Sequence, residues 1–97
     1  MISNQQQKLD ISKQIPTVQD IQEYLVSYLA KLLEIEPDNI KITIPFAQYN
    51  LDSVVSVALM GDLEEWLERE LNPTLIYDYP TIEALAQHLS TELESHI

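Results

Sequence analysis

The sequence predicts an all-α fold: a small bundle of three long helices plus a short helical segment, with a long first loop. Three observations carry this. Apolar residues recur at 3.6-residue spacing in three separate stretches, near 18–35, 53–71 and 82–93. A residue suited to cap a helix stands before each stretch, namely Thr17, Asp52 and Thr81. Only one stretch alternates as a strand would, from Ile40 to Phe46, and a sheet needs a second strand to pair with.

In chain order, residues 1–16 are polar, contain three consecutive glutamines and end at Pro16; we read them as a flexible tail. The remainder, 17–95, forms one domain. Thr17 caps the first helix, with Asp20 three positions on as an imperfect capping box. Val18, Ile21, Leu25, Tyr28, Leu29, Leu32 and Ile35 share its inner face, and Pro37 ends it. Residues 36–51 make the long loop. There Ile40, Ile42, Ile44 and Phe46 pin the chain onto the helices rather than pair in a sheet, since Pro45 lacks a donor for a ladder. Asn50 suits a left-handed turn, because asparagine tolerates positive φ better than most residues other than glycine.

The second helix is expected from Ser53 to about Leu71, closed by Asn72-Pro73. Ser56, Leu59, Met60, Leu63, Trp66 and Leu67 form its inner face; Val54, Ala58, Gly61, Asp62, Glu65 and Glu68 lie opposite. Gly61, the sole glycine, costs about 1 kcal/mol against alanine inside a helix, so it either admits a partner closely or is simply tolerated. Thr74 to Tyr79 allows a turn or one helical turn. Thr81 then opens the last helix, with Ile82, Leu85, Ala86, Leu89 and Leu93 inward.

Ninety-seven residues allow one domain with one small core, and 45% hydrophobic content is ordinary for a folded chain. The net charge of −11 is unevenly placed. Residues 1–51 carry six acids and four bases, whereas residues 52–97 carry ten acids and Arg69 alone as a base. Nucleic-acid binding, which needs cationic patches, is excluded; the acidity either steers basic partners or only keeps the protein in solution. There is no cysteine, hence no disulfide or thiolate metal site. No apolar run is long enough to span a bilayer, and the first residues lack the pattern of a signal peptide, so a cytoplasmic protein is expected.

The sequence shows no catalytic apparatus. A nucleophilic serine needs a base nearby, and the two histidines, His88 and His96, both fall late in the chain, at positions expected on the surface. No histidine pair has metal-ligand spacing, no carboxylate dyad stands out, and one glycine cannot make a phosphate-cradling loop. What does stand out is Ser53, at the first position of a helix, behind the cap Asp52, at the end of a loop. Such a hydroxyl is exposed and fixed in direction, as one acted on by another enzyme must be. Asp-Ser is also common capping chemistry in its own right.

The wider pattern separates these readings. Phe46-x-x-Tyr49-x-Leu51-Asp52-Ser53-Val54 resembles the phosphopantetheine attachment site of acyl carrier proteins, usually an aromatic followed by Gly-x-Asp-Ser-Leu. The run Asp78-Tyr-Pro-Thr-Ile-Glu-Ala-Leu-Ala86 is similar to the start of the last helix in polyketide carrier domains, and lies at the family's spacing. The resemblance extends from Val18 to Leu93, with Asn50 in place of glycine and Val54 in place of leucine. It implies an acyl-carrier-like bundle in which Ser53 receives 4′-phosphopantetheine from coenzyme A, assisted by Asp52. Acyl intermediates would then ride as thioesters on the arm, in polyketide or fatty-acid-like biosynthesis. Peptidyl carriers often have histidine before the serine, so Asp52 leans toward acyl cargo. The implied partners are a phosphopantetheinyl transferase and acyl-loading and chain-extending synthase enzymes. They would meet a monomeric carrier at Val54, Val55, Ala58, Gly61, Glu64, Glu65 and Glu68. Met1 and the early end of the chain favour a free-standing protein. An unmodified acidic helical adaptor for basic partners is the alternative.

Overall fold

Helix α1 (Val18–Leu33) begins where the sequence places it, and its cap is complete. The Thr17 hydroxyl accepts from the Asp20 amide at 3.1 Å, and the Asp20 carboxylate accepts from the Thr17 amide at 3.0 Å. Two amides that lack partners in a first turn are thereby satisfied. This computed structural model describes residues 15–95. Of the expected tail, residues 1–14 lie outside that range, while Ile15 is half-buried against the core and Pro16 is half-buried too. Packing therefore begins before the first helix.

The inner face of α1 is buried at Ile21, Leu25 and Leu29, but Leu32 and Ile35, expected inward, are 42% and 39% exposed. The helix stops at Leu33, four residues short of Pro37: Glu34 turns left-handed (φ 59°), and the Glu34 and Ile35 amides both bond to Ala30 O. Ala30, off the expected face, is buried as well, and the loop beyond the helix stays close to α1 through the 3₁₀ turn Pro37–Asn39.

The long loop is not a strand. It carries a second 3₁₀ turn, Phe46–Tyr49, and pins itself down as expected, with Ile40 and Phe46 buried and Ile42 half-buried. The Tyr49 hydroxyl accepts from the Lys41 amide at 2.8 Å and donates to the Lys41 carbonyl at 3.1 Å, so one side chain engages both backbone polar groups of a residue eight positions away. Backbone bonds from Phe46 N to Pro80 O (2.7 Å) and from Glu83 N to Ile42 O (3.0 Å) tie the loop to the entrance of the last helix.

Helix α2 (Ser53–Leu67) is shorter than its apolar pattern. It ends at Glu68 in the left-handed conformation (φ 58°), with the Arg69 amide on Glu64 O and the Glu68 amide on Glu65 O. This double closure satisfies the final carbonyls of the helix. The expected stop at Asn72-Pro73 is thus overtaken by four residues, and the turn carries Leu71 into the core, where it is 7% exposed. Asn72 instead accepts from the Thr74 amide at 2.9 Å and the Thr74 hydroxyl at 2.8 Å, a local turn of the kind asparagine favours. The short helix α3 (Leu75–Asp78) follows, and then α4 (Ile82–Ser95), opened by Thr81 Oγ1 accepting from the Ala84 amide at 3.0 Å.

The core lies where the helices meet, with α1 running along α4. Ile21, Leu25, Leu29, Leu59, Leu63, Ile82, Leu85 and Leu89 are its fully buried large side chains. Burying one such residue is worth about 1.5–3 kcal/mol, so the bundle rests mainly on this set. Trp66, expected inward, is 38% exposed and stacks on Tyr24 of α1 instead, with ring centroids 4.3 Å apart.

Candidate functional site

The approach to Ser53 is built from three consecutive backbone decisions. Asn50 closes the second 3₁₀ turn in the left-handed region (φ 60°, ψ 38°), its amide on Ala47 O at 3.1 Å. Leu51 is half-buried against the core and anchors the strand of chain that follows. Asp52 is extended (φ −83°, ψ 177°) and caps α2, its Oδ1 accepting from the Val55 amide at 2.9 Å while its carbonyl accepts from the Ser56 amide at 2.9 Å. Ser53 is then exposed at the first helical position. Among the described residues the Ser53 and Val54 amides have no protein partner, and the dipole of a 15-residue helix adds partial positive charge there.

Apolar surface surrounds this point. Val54 and Val57 are 76% and 64% exposed, and Tyr77 of α3 is 65% exposed. Beside them a cavity of about 150 Å³ opens between the loop, α2 and α3, lined by Phe46, Leu51, Ser56, Ile76, Tyr77 and Pro80. That is room for a group the size of a benzene ring. Further along α2, Ala58, Gly61, Glu65 and Glu68 are exposed and Val55 is half-buried. A Cβ built on Gly61 would meet nothing within 4 Å, so the fold itself does not require glycine there.

A phosphopantetheine-attachment-site family model matches residues 23–89, which include the loop, Ser53 and the start of α4. The chain belongs to that family of carrier proteins. The acyl carrier protein TtuC of Teredinibacter turnerae is 36% identical over 76 residues, 78% of this chain and 87% of that protein. Among solved structures, the acyl carrier protein Asl1650 of Anabaena sp. PCC 7120, described as having a variant phosphopantetheinylation-site sequence, superposes with a TM-score of 0.76. It shares 43% identity, over 79% of this chain and 88% of that one. A free-standing peptidyl carrier protein from a secondary metabolic pathway of Acinetobacter baumannii gives 0.74 at 40% identity, over 79% and 96%. The chain also matches polyketide synthases, of whose length it spans 1% to 4%. Members of this family carry a covalently attached 4′-phosphopantetheine.

The expected carrier surface is partly rearranged. Val54, Ala58, Gly61 and Glu65 lie on the exposed side of α2, and Glu68 is exposed just beyond its end. Glu64 is half-buried on the flank, and its carboxylate accepts from the Leu71 amide at 2.7 Å, so it holds the chain after the helix. Val57 and Tyr77 were not singled out. Val57 sits one turn from Val54, and its i,i+3 spacing was the available signal; Tyr77 carries none, since its neighbours come from other elements. Burial of Tyr28 on α1, together with the nearby Asp62 carboxylate of α2, pushes its hydroxyl up to about 12.

His88 is not simply a surface residue. It is half-buried, stacked on Tyr79 at 4.1 Å between ring centroids, with Nε2 3.1 Å from the Glu92 carboxylate but not aligned on it as a hydrogen bond. His96 lies outside the described residues. Among the described residues no group of acids and histidines could hold a metal, and no helix is long and apolar enough to cross a membrane.

Proposed function

We propose that Ser53 is the residue that carries the 4′-phosphopantetheine arm, and that the unit 17–95 works as an acyl carrier in secondary-metabolite assembly of the polyketide type. The observation that carries this reading is the exposed Ser53 hydroxyl at the entrance of α2, behind the capping Asp52. The site suits the group. A phosphodiester on Oγ would sit against the positive end of the helix and the two amides without protein partners, where anions are favoured. When attached, the group supplies a terminal thiol on which an acyl chain is held as a thioester.

The chain's own residues do the rest. Asn50 and Tyr49 hold the loop so that Ser53 keeps one direction, and Asp52 presents an exposed carboxylate next to the hydroxyl that a phosphopantetheinyl transferase would act on. Val54, Val55 and Ala58 form the small apolar contact for that transferase and for acyl-loading and chain-extending enzymes, and Glu65 and Glu68 steer basic partners toward it. The apolar cavity beside Tyr77 and the aspartate before the serine both support acyl cargo, and the similarity to TtuC points the same way.

The test is incubation with coenzyme A, Mg²⁺ and a phosphopantetheinyl transferase, followed by intact-protein mass spectrometry. Wild type should gain one phosphopantetheine and Ser53→Ala none. An unmodified wild type would leave an acidic adaptor as the surviving reading, and label persisting in Ser53→Ala would place the arm elsewhere.

A further inference from the structure

A second surface lies at the other end of α2, on the seam it shares with α1. Two runs of the same pattern meet there, Asp20-Ile-Gln-Glu23-Tyr24 on α1 and Asp62-Leu-Glu-Glu65-Trp66 on α2. In each run the aliphatic residue, Ile21 or Leu63, is fully buried and fixes which way the helix faces. The rings are left on the seam, where Tyr24 stacks on Trp66 at 13° from parallel. One turn further along α1, Tyr28 meets Asp62, one turn earlier on α2, so the two helices run antiparallel. The two leading aspartates therefore fall on opposite sides of the stack. Asp20 and the Tyr28 level that Asp62 occupies are eight residues apart on α1, about 12 Å along the seam. Glu23 and Glu68 border the same open groove, and Glu65 lies close enough to raise the Tyr24 hydroxyl, behind desolvation and Asp62. All five acids are exposed, and among the described residues no lysine or arginine pairs with them. Trp66 stays 38% exposed although Tyr24 covers one face of its indole.

We propose that this seam docks a helix of a partner protein that carries two arginines about two turns apart with apolar side chains between them. Charge complementarity selects the arginines. Five unpaired carboxylates beside aromatic rings suit a planar guanidinium, which both stacks on a ring and forks onto a carboxylate. Spacing selects the helix. Positions i and i+7 lie on one face about 10 Å apart with i+3 and i+4 between them, which matches the order of acid, aromatic stack and acid along the seam. Thirteen residues separate Trp66 from Ser53, about 20 Å along a helix. A partner held here leaves the entrance of α2 open, so one protein retains the carrier while another works at the serine.

Trp66 is the only tryptophan, so its fluorescence reports the contact directly. The probe is an alanine- and glutamine-based helical peptide without tryptophan, with arginine at i and i+7 and leucine at i+3 and i+4. Titrated into the full-length protein at low salt, it should bind saturably and lower acrylamide quenching of Trp66. A peptide of the same composition with arginine at i and i+2 splits the cations between two faces, and should bind at least about fivefold more weakly. Glu23→Gln with Asp62→Asn removes one carboxylate from each side of the stack. It should raise Kd about five- to tenfold, the loss expected for two exposed ion pairs. Asp38→Asn with Glu83→Gln removes the same charge elsewhere and should leave Kd unchanged, and circular dichroism of each variant reports that the helices are intact. Equal affinity for the two peptides, or an equal loss in the two double variants, would overturn the proposal by reducing the effect to net charge. Binding that leaves Trp66 quenching unchanged would overturn it as well, because the peptide then sits elsewhere. So would an indole shielded before any peptide is added and released by salt near 1 M, the mark of a second copy or another part of this chain on the stack. Phosphopantetheine loading of Ser53 should be the same in Glu23→Gln with Asp62→Asn as in wild type, and Ser53→Ala should bind the peptide as wild type does. This inference and the attachment-site reading therefore stand or fall separately.

Discussion

Asn50 shows how much one residue's conformation can matter to a site it does not touch. Its φ of 60° ends the 3₁₀ turn, and the chain then runs through Leu51 to the extended Asp52 that presents Ser53. For a β-branched residue that conformation is strained, so Asn50→Val should lower stability by about 1 kcal/mol or more while Asn50→Gly stays neutral or gains slightly. Glu34 pays the same conformational penalty without asparagine's tolerance, and Glu34→Gly should raise stability by about 0.5–1 kcal/mol, net of glycine's entropy. Urea denaturation midpoints read all three variants. Identical midpoints would mean the left-handed residues are not strained.

At the scale of the element, the proposed function has α2 divide its length between two tasks. Its first turns expose Val54, Val57 and Ala58, and its last turns expose Glu65 with Glu68 beyond the end. Contact and steering should therefore separate in kinetics. Ala58→Glu should raise KM for the phosphopantetheinyl transferase at every ionic strength, because it places a charge in the apolar contact. Glu65→Lys with Glu68→Lys should instead slow association and flatten its salt dependence, since exposed charges act over about 10 Å at 0.1 M salt. Modification rates of both variants across a salt series would show it. A lysine pair with unchanged rate and unchanged salt slope would reduce the stripe to a solvated face.

For the whole molecule, the dominant electrostatic fact is a net charge of −11, with no lysine or arginine among the described residues paired with a carboxylate. Self-repulsion of this kind opposes compactness and is relieved by screening. Raising NaCl from about 0.02 M to 0.5 M should therefore raise Tm, and relief of about 1 kcal/mol corresponds to about 4–8 °C in a domain of this size. A Tm that is flat or falls over that range would show the carboxylates to be too far apart to matter.

The sequence by itself determined the features that depend on near neighbours. Apolar spacing located the three long helices, Thr17, Asp52 and Thr81 announced their starts, Asn50 marked the left-handed turn, and the motif around Ser53 identified the family. Each of these is written in a window of a few residues, where periodicity and capping chemistry operate. Tertiary structure alone decided where the helices stop and what their flanks meet. Nothing local about Glu-Arg-Glu-Leu ends a helix; α2 stops at Glu68 because the turn there delivers Leu71 to the core, with the Glu64 carboxylate receiving its amide. In the same way Tyr49 closing on Lys41, the Phe46 amide on the Pro80 carbonyl and the Tyr24–Trp66 stack join residues apart in the chain. Such contacts follow from how the helices are set against one another, and no local spacing encodes that.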